Sequence, residues 1–297
     1  MSLAAFLLCA GYGQRLRPLT ERIAKPALTF QGKSALEINK RRVEVLKPEH
    51  WLANAHHLPE QITSLAKRLD LEVLHEHEIL GTGGCLFNAA SVLKTCDHFL
   101  VHNADLIHTI DLQNLFARHL SSGAMATLAG IHHPNHNTLS VSKDGRLRGI
   151  RGYKEFEAGS KETRLTFTGI AFYQRNFLRF ANPGPHDIKH PWTQALNAEA
   201  FIQVVDCSGA SWHDFGTPQG LWDAAKFMME STGEFSYHYP APPGERPNRS
   251  YVSNEAGQKG LPEGLMNVLI YEEMLFSSLL NKTDRIFGRD FEWMIKA

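Results

Sequence analysis

The first hundred residues alternate between short apolar runs and longer stretches with apolar side chains at helical spacing. The runs at residues 3–9, 51–55 and 71–75 have the length of buried strands. Residues 34–45 and 58–69 lie between them and predict helices with one apolar face. Strands that alternate with helices favour a sheet of parallel strands joined by helical crossovers.

The same alternation continues down the chain, interrupted once after residue 131. It predicts strands at residues 98–103, 125–131 and 201–207, and helices at residues 112–120, 191–199 and 219–229. Short alternating segments predict a β-rich insert at residues 139–142, 146–150 and 165–173. The expected fold is therefore α/β, a Rossmann-like three-layer arrangement around a mixed, mainly parallel sheet.

The pattern changes again after residue 232, which we take as the end of the main domain. Residues 239–247 hold five prolines or glycines and predict a linker. Beyond them, residues 265–280 contain enough helix formers for a helix, whereas residues 267–271 and 284–295 fit strands. We favour strands. The predicted organisation is a domain at residues 1–232 and a linker with a C-terminal extension at residues 233–297, for which a degenerate β-helix and an oligomer contact are the two hypotheses.

Composition excludes several classes of partner. Lysine plus arginine equals aspartate plus glutamate at 31 each, so no overall field attracts nucleic acid or an anionic membrane. No apolar run approaches the ~20 residues that a membrane span needs. The four cysteines are far apart and form no C-x-x-C, which is typical of reduced thiols. We therefore expect a cytoplasmic protein whose affinity for anions is local.

The first strand runs into a loop with two glycines and then two cations. Gly11 and Gly13 allow the backbone to approach an anion closely, and Arg15 and Lys25 supply positive charge. A Walker loop is excluded because no Gly-Lys-Ser/Thr follows, and a dinucleotide fingerprint is excluded because Leu16 stands where the third glycine is needed. The loop still predicts a phosphate site.

Residues 11–20, Gly-Tyr-Gly-Gln-Arg-Leu-Arg-Pro-Leu-Thr, and residues 24–26, Ala-Lys-Pro, resemble the signature of the sugar-1-phosphate nucleotidyltransferases, G-x-G-x-R-L-x-P-L-T followed by P-K-P. The chain departs from that signature at Gln14 and Ala24. The resemblance implies that Arg15 neutralises the leaving pyrophosphate and that Lys25 holds the phosphates of both substrates. It also assigns nucleotide contacts to Leu8, Ala10, Gly11 and Gly13.

Three later motifs resemble the same family and follow in its order. Leu-Gly-Thr-Gly-Gly at residues 80–84 is similar to the segment that lines the nucleobase pocket, which implies that role for Gly83 and Gly84. Thr-Gly-Ile at residues 168–170 is similar to a sugar-contacting segment, which implies that role for Thr168 and Gly169. The Glu-Lys-Pro that many members carry is missing, and only Tyr-Lys-Glu stands at residues 153–155.

Two aspartates match the metal ligands of the family. Asp105 ends Asn-Ala-Asp after the strand at residues 98–103, and Asp214 stands in Trp-His-Asp-Phe-Gly-Thr-Pro at residues 212–218. By resemblance, both hold a magnesium ion, Mg2+, for which oxygen ligands are suited. Asp111 follows closely, but its place before a predicted helix fits an N-cap.

The resemblance implies the nucleotide-diphospho-sugar transferase fold and the transfer of a nucleoside monophosphate from an NTP to a sugar 1-phosphate, with release of pyrophosphate. The motif forms are most similar to bacterial mannose, heptose and N-acetylmuramate 1-phosphate enzymes. The base and the sugar stay open. A phosphocholine-type cytidylyltransferase and a regulatory protein that binds nucleotide-sugars without catalysis are the alternatives.

Overall fold

The structure is a computed structural model that describes residues 1–134, 136–153, 162–232, 251–252, 266–270, 283–288 and 291–295. The chain folds into two compact units. Unit 1 comprises Met1–Gly11, Asn39–Ala104 and His108–Trp212. Unit 2 comprises Tyr12–Ile38, Asp105–Ile107 and His213–Ala297.

Short strands and helices alternate along the described chain, largely where the apolar pattern predicts them. The strands are β1 (Leu3–Leu8), β2 (Thr29–Phe30), β3 (Lys33–Ser34), β4 (His50–Ala55), β5 (Glu72–His75), β6 (His98–Asn103), β7 (Leu106–His108), β8 (Ala126–Ile131), β9 (Leu139–Val141), β10 (Leu147–Ile150), β11 (Thr163–Gln174), β12 (Ile202–Asp206), β13 (Trp212–Asp214), β14 (Tyr251–Val252), β15 (Met266–Ile270), β16 (Thr283–Gly288) and β17 (Phe291–Met294). The helices are α1 (Leu19–Arg22), α2 (Ala35–Val43), α3 (Pro59–Arg68), α4 (Gly81–Leu93), α5 (Leu112–Ser122), α6 (Lys189–Asn197) and α7 (Pro218–Thr232). Single 3-10 turns lie at Gln14–Leu16, Lys25–Ala27 and Glu44–Leu46, and a longer 3-10 segment lies at Arg175–Phe180.

A nine-stranded sheet forms the centre of unit 1. Its main path runs β10-β9-β11-β6-β1-β4-β5, and β8 joins β11 to β12. The pairs β1–β4, β1–β6, β4–β5 and β8–β12 are parallel. These pairs confirm the helical crossovers expected from the alternation, because parallel neighbours need a long connection. The α/β class with a mainly parallel sheet is confirmed.

Strand β11 belongs to the central sheet as well as to the predicted β-rich insert. It is twelve residues long and antiparallel to three neighbours, β6, β8 and β9. Its register against β8 shifts between Phe167 and Ala171. Gly169, at φ 88°, lies within this irregularity, in a conformation that favours glycine. The pattern shows the apolar residues of β11 but not the bend that carries it from one group of strands to the next.

Aromatic side chains fill the core of unit 1. Phe99 and Tyr173 stack with ring centroids 5.0 Å apart, and Phe6 and Trp192 are fully buried in the same cluster. The Trp192 indole N–H donates to the Tyr173 hydroxyl over 3.1 Å, which gives the buried indole a partner. Burial raises the pKa of Tyr173. The core therefore tolerates this polar pair because each group satisfies the other.

Unit 2 has its own core, built around α7. Phe30 and Phe215 meet edge to face with centroids 5.1 Å apart, and Leu16, Trp222 and Ile286 are buried in the same cluster. Ile286 comes from β16, so the C-terminal extension contributes to this core. The predicted boundary at residue 232 stays a prediction.

The C-terminal extension contains strands, as we favoured. β14, β15 and β16 are successive parallel neighbours, and β17 returns antiparallel to β16. Tyr251 pairs with Leu269, and Met266 pairs with Thr283. The helix considered for residues 265–280 is wrong at Met266–Ile270, which is strand β15. The predicted linker at residues 239–247 lies outside the described residues. None of the helices described is both long enough and apolar enough to cross a lipid bilayer.

A buried histidine makes the fold of unit 1 sensitive to acid. His119 is almost fully buried, and its Nδ1–H donates to Thr127 Oγ1 over 2.9 Å while its Nε2 accepts from His98 Nδ1–H over 3.0 Å. The Thr127 hydroxyl donates its hydrogen bond to Gln203 Oε1, so toward His119 it can only accept. The proton of the neutral His119 ring is therefore on Nδ1, and Nε2 is the acceptor. Desolvation and the neighbouring His98 lower the pKa of His119 from 6.5 to about 3. The folded chain therefore keeps this imidazole neutral.

The variant His119→Gln is expected to lose less stability in acid than the wild type. Below the unfolded pKa of 6.5 the unfolded chain binds a proton that the folded chain refuses, so stability falls as the pH falls towards about 3. One such group lowers the free energy of unfolding by roughly 2–3 kcal/mol between pH 7.5 and pH 4.5. Urea denaturation at both pH values measures the difference, with exposed His75→Gln as the control. Equal acid dependence in wild type and His119→Gln would contradict the assignment.

Candidate active site

The loop after β1 is shaped by a left-handed glycine. Gly13 has φ 63°, and its carbonyl accepts from Thr20 Oγ1 and from the Leu16 N–H, each over 2.8 Å. A Cβ at Gly13 would lie 2.8 Å from the Thr20 methyl carbon and 3.3 Å from Lys25 Cγ. Glycine is therefore required both by conformation and by space. By contrast, a Cβ at Gly11 would meet nothing within 4 Å.

Lys25 forms an ion pair with Asp105. The Lys25 Nζ donates to Asp105 Oδ2, and the two side chains are only 12% and 23% exposed. Asp105 is the second residue after β6, and its carbonyl accepts from the Phe215 N–H over 3.4 Å. Lys25 opens a 3-10 turn whose second residue is Pro26, and proline there lacks the N–H that such a turn leaves unpaired. Sequence reasoning placed both residues in the site, and the structure brings them into contact.

The side chains of Asp214 and Arg15 both lie against Gly216. Asp214 Oδ1 accepts from the Gly216 N–H over 2.7 Å. A Cβ at Gly216 would lie 2.4 Å from Arg15 Nη2 and 2.9 Å from Asp214 Oδ1. The Arg15 guanidinium therefore occupies the space that a side chain at residue 216 would need, close to the Asp214 carboxylate. Gly216 was part of the recognised motif, but nothing in the sequence assigned it a role.

The electrostatics of Asp214 connect the four charged groups. Desolvation by the surrounding protein raises its pKa above the usual 3.8, and the negative charge of Asp105 raises it further. Lys25, the Gly216 N–H and Arg15 act in the opposite direction. Arg15, Lys25, Asp105 and Asp214 thus form one cluster within unit 2. The cluster holds two carboxylates and two cations, a set able to bind both phosphate groups and a cation.

The donor set fits a magnesium ion. Desolvation and the negative charge of Asp105 raise the pKa of Asp214, and a cation bound between the two carboxylates would compensate that charge. Oxygen atoms are the ligands that Mg2+ prefers, and Mg2+ usually takes one or two carboxylates and completes its shell with water and substrate phosphate. In the part of the chain that the structure describes, no group of three or more His, Cys, Asp or Glu side chains is placed to hold a metal. Asp105 and Asp214 are therefore its candidate protein ligands.

Gly83 and Gly84 lie at the start of α4, in unit 1, where both are buried. Their N–H groups donate to the His186 carbonyl over 3.0 and 3.3 Å. A Cβ at Gly83 would lie 2.4 Å from the His186 ring, and one at Gly84 would lie 2.2 Å from the Gly184 carbonyl oxygen. Close packing against residues 184–187 accounts for these glycines. Their contact with a nucleobase stays a prediction.

Thr168 and Gly169 lie in β11 of unit 1, and the side chain of Thr168 is directed into the protein. Its hydroxyl donates to the Ala129 carbonyl over 2.9 Å, while its own carbonyl accepts from the Trp212 indole N–H over 2.9 Å. A Cβ at Gly169 would lie 2.8 Å from the Asn103 amide. The predicted sugar contacts of both residues stay predictions, and Lys154 and Glu155 lie outside the described residues.

The remaining predicted nucleotide residues line the end of β1. Leu8 is half-buried, its carbonyl accepts from the Ala104 N–H over 3.1 Å, and Ala10 is buried. Sequence reasoning missed Glu76, a buried carboxylate near this strand end. No periodic signal could have found it, because it stands just beyond a short strand among polar residues.

Comparison with known proteins connects this geometry to a family. The nucleotidyl transferase family profile matches residues 4–231. The bifunctional protein GlmU of Methanocaldococcus jannaschii is 35% identical over 232 residues, which cover 76% of this chain and 54% of that protein. The mannose-1-phosphate guanylyltransferase of Mycobacterium tuberculosis is 28% identical, over 72% of this chain and 61% of its own length. This chain therefore matches between about half and two thirds of the length of these curated relatives.

Solved structures show the same fold. UDP-glucose pyrophosphorylase from Acinetobacter baumanii superposes with a TM-score of 0.63 at 19% identity, over 78% of this chain and 95% of that one. HddC from Yersinia pseudotuberculosis, complexed with GMP-PN, gives a TM-score of 0.60 at 18% identity, over 75% and 98%. The fold likeness agrees with the sequence match, and the chain belongs to the nucleotidyl transferase family.

Proposed function

We propose that this chain transfers a nucleoside monophosphate from an NTP to a sugar 1-phosphate, giving an NDP-sugar and pyrophosphate. The observation that carries the proposal is the cluster in unit 2, where Lys25 pairs with Asp105 and Arg15 lies beside Asp214. Family membership and the names of the similar proteins support the same reaction class.

The chemistry is an in-line displacement at phosphorus. A phosphate oxygen of the sugar 1-phosphate forms a bond to the α-phosphorus of the NTP, and the bond from that phosphorus to the bridging oxygen of pyrophosphate breaks. The electron pair of the broken bond leaves with pyrophosphate. No protein nucleophile is needed, so the protein contributes positioning and charge neutralisation.

The charged side chains have separate tasks in this reaction. Arg15 is exposed and rests on Gly216, so its guanidinium can reach the leaving pyrophosphate and bind two of its oxygens. Lys25 places a positive charge where the two phosphates meet and reduces their mutual repulsion. Asp105 and Asp214 would hold Mg2+, which when bound supplies Lewis-acid polarisation of phosphoryl oxygen. Asp105 also fixes the Lys25 ammonium through their ion pair.

For the substrates we propose GTP and mannose 1-phosphate as the first pair to test. Proteins named mannose-1-phosphate guanylyltransferase recur among the relatives, from Dictyostelium discoideum and Mycobacterium tuberculosis to Xenopus tropicalis. Other hexose, heptose and N-acetylmuramate 1-phosphates and phosphocholine are the competing acceptors. We also propose a cytoplasmic location, since NTP substrates are found there and the four cysteines are free thiols.

The deciding experiment measures pyrophosphate release with Mg2+ over a grid of nucleoside triphosphates and acceptor phosphates. A strong signal with one nucleotide and one sugar 1-phosphate is expected, and EDTA should remove it. A signal with phosphocholine alone would show that the acceptor is a phosphorylated amino alcohol and not a sugar 1-phosphate. A grid without any signal, together with thermal stabilisation by one nucleotide-sugar, would favour the regulatory protein, with which the departures at Gln14 and Ala24 agree.

A test of the oligomer hypothesis removes the extension, and because this also takes Ile286 out of the core of unit 2, the thermal midpoint of the truncated chain is measured first to show that it is folded. A chain truncated after residue 232 should have a lower order of assembly in solution than the full chain, measured by light scattering. A truncated chain that keeps both its assembly state and its activity would refute the hypothesis that the extension is an oligomer contact.

A further inference from the structure

A chain of hydrogen bonds in unit 1 joins the end of β1 to the start of α4. The Cys9 N–H donates to Asn54 Oδ1 over 2.7 Å, and Asn54 Nδ2 donates to Glu76 Oε1 over 2.7 Å. The second carboxylate oxygen, Oε2, accepts from the Leu80 N–H over 3.1 Å. We call Asn54 and Glu76 the amide-carboxylate bridge.

The bridge is buried, and its hydrogen bonds admit only one arrangement. Asn54 is 5% exposed and Glu76 is 7% exposed. A carboxylate accepts hydrogen bonds only, so the NH2 end of the Asn54 amide must face Glu76 and the oxygen end must face Cys9. Reversing the amide would set two acceptors against each other and two donors against each other. The direction of every bond in the bridge is therefore determined.

The backbone around Glu76 is held as firmly as its side chain. The Glu76 N–H donates to the Ala55 carbonyl over 2.8 Å, and the His56 Nδ1–H donates to the Glu76 carbonyl over 2.8 Å. Residue 76 is thus fastened to the end of β4 by its main chain, and its carboxylate is free to move only by breaking bonds to Asn54 and Leu80. The bridge is a rigid link.

Both ends of the bridge stand next to predicted nucleotide residues. Cys9 lies between Leu8 and Ala10, and Leu80 is the residue before α4, the helix that carries Gly83 and Gly84. A buried carboxylate is a costly way to stabilise a protein, since apolar side chains of similar size often stabilise as well or better. The carboxylate does fix the distance between two backbone segments in a way that an apolar contact does not.

We propose that Asn54 and Glu76 are positioning residues that hold the two nucleotide-binding segments of unit 1 at the separation the NTP requires. The inference rests on the proposed function and goes beyond it. The bridge acts through backbone atoms of Cys9 and Leu80, so it sets the affinity for the nucleotide while leaving the binding of the sugar phosphate unchanged.

An exchange of the two functional groups tests the proposal. In Glu76→Gln, one oxygen faces two donors, Asn54 Nδ2 and the Leu80 N–H, so one bond is lost. In Asn54→Asp, two carboxylates face each other. In the double variant, Asp at 54 accepts from the Cys9 N–H and from the new Gln amide at 76, whose oxygen accepts from the Leu80 N–H. All three hydrogen bonds return with their direction reversed at the centre.

Each single variant is expected to raise the KM for NTP about tenfold or more, the loss that follows from one or two missing hydrogen bonds. The KM for the sugar 1-phosphate should stay within twofold, and the double variant should recover most of the affinity for NTP. The matched control is Thr127→Val, which removes a buried hydrogen-bonding group from the His119 network of the same unit. It should lower the thermal midpoint without changing the KM for NTP.

The same variants are also tested for NTP binding without acceptor, by calorimetry. This readout separates the inference from the proposed function, because a wild type that binds NTP but releases no pyrophosphate disproves only the latter. Single variants with wild-type affinity for NTP would overturn the positioning role. A double variant that recovers thermal stability but not NTP affinity, or that prefers a different base, would also overturn it, since the carboxylate would then contact the nucleotide itself.

Discussion

Asp105→Asn and Asp214→Asn are each expected to reduce pyrophosphate release by on the order of a thousandfold or more. Each substitution keeps the shape of the side chain and removes one of the two negative charges that fit a magnesium ion. Asp105→Asn also deprives the Lys25 ammonium of its charged partner. Steady-state rates over a range of Mg2+ concentrations measure the effect, and a higher Mg2+ requirement in either variant would support the role as ligand.

The control for these two variants is Asp111→Asn. Asp111 is an exposed N-cap whose carboxylate accepts from the Asn114 N–H over 2.9 Å at the start of α5, as its position in the sequence predicted. Asparagine is also a good N-cap, so this variant should keep both stability and rate. A wild-type rate in Asp105→Asn or Asp214→Asn would remove that residue from the site.

Gly216→Ala is expected to lower the rate about a hundredfold while the protein stays folded. The added methyl would lie 2.4 Å from Arg15 Nη2 and 2.9 Å from Asp214 Oδ1, and the ends of side chains can move away. Folding is therefore affected little, but the guanidinium and the carboxylate leave the positions that the reaction needs. The pyrophosphate-release rate and the thermal midpoint, measured on the same preparation, separate the two effects.

A glycine with free space around it provides the comparison. A Cβ at Gly209 would meet nothing within 4 Å, so Gly209→Ala should change neither rate nor thermal midpoint by much. If Gly216→Ala unfolds the protein, the inference that the neighbouring side chains can yield is wrong. If the variant is folded and fully active, Arg15 does not need its place on the Gly216 backbone.

The order of most strands and helices in unit 1 could be predicted because these elements are long enough for the spacing of their apolar residues to repeat. The three-residue strands β7 and β13 could not, because each stands alone with too few residues to show a period, whereas the equally short β9 belongs to a run of alternating segments. The first forms directly after Asp105 and the second ends in Asp214, so the carboxylates were identified by motif and their surroundings were not.

Glycines illustrate the limit of sequence reasoning at the site. A glycine indicates that something approaches the backbone, but not what approaches. At Gly83 and Gly84 the structure shows the backbone of residues 184–187 and the ring of His186 in that place, and at Gly216 it shows the side chain of Arg15. The ion pair of Lys25 with Asp105 was likewise not predictable, because it joins residues from separate parts of the chain. The sequence motifs assigned Lys25 to the phosphates and Asp105 to the magnesium ion, with no indication that the two side chains meet.

Unit 2 is built from three separate segments of the chain, and this affects how it can fold during synthesis. Its pieces, Tyr12–Ile38, Asp105–Ile107 and His213–Ala297, come from the beginning, the middle and the end of the chain. A ribosome that adds about 5–20 residues per second needs on the order of ten seconds or more between Lys25 and Asp214. During that interval the apolar residues of the early segment have no α7 to pack against. The nascent chain therefore exposes these apolar side chains until α7 has been synthesised, and exposed apolar surface favours aggregation.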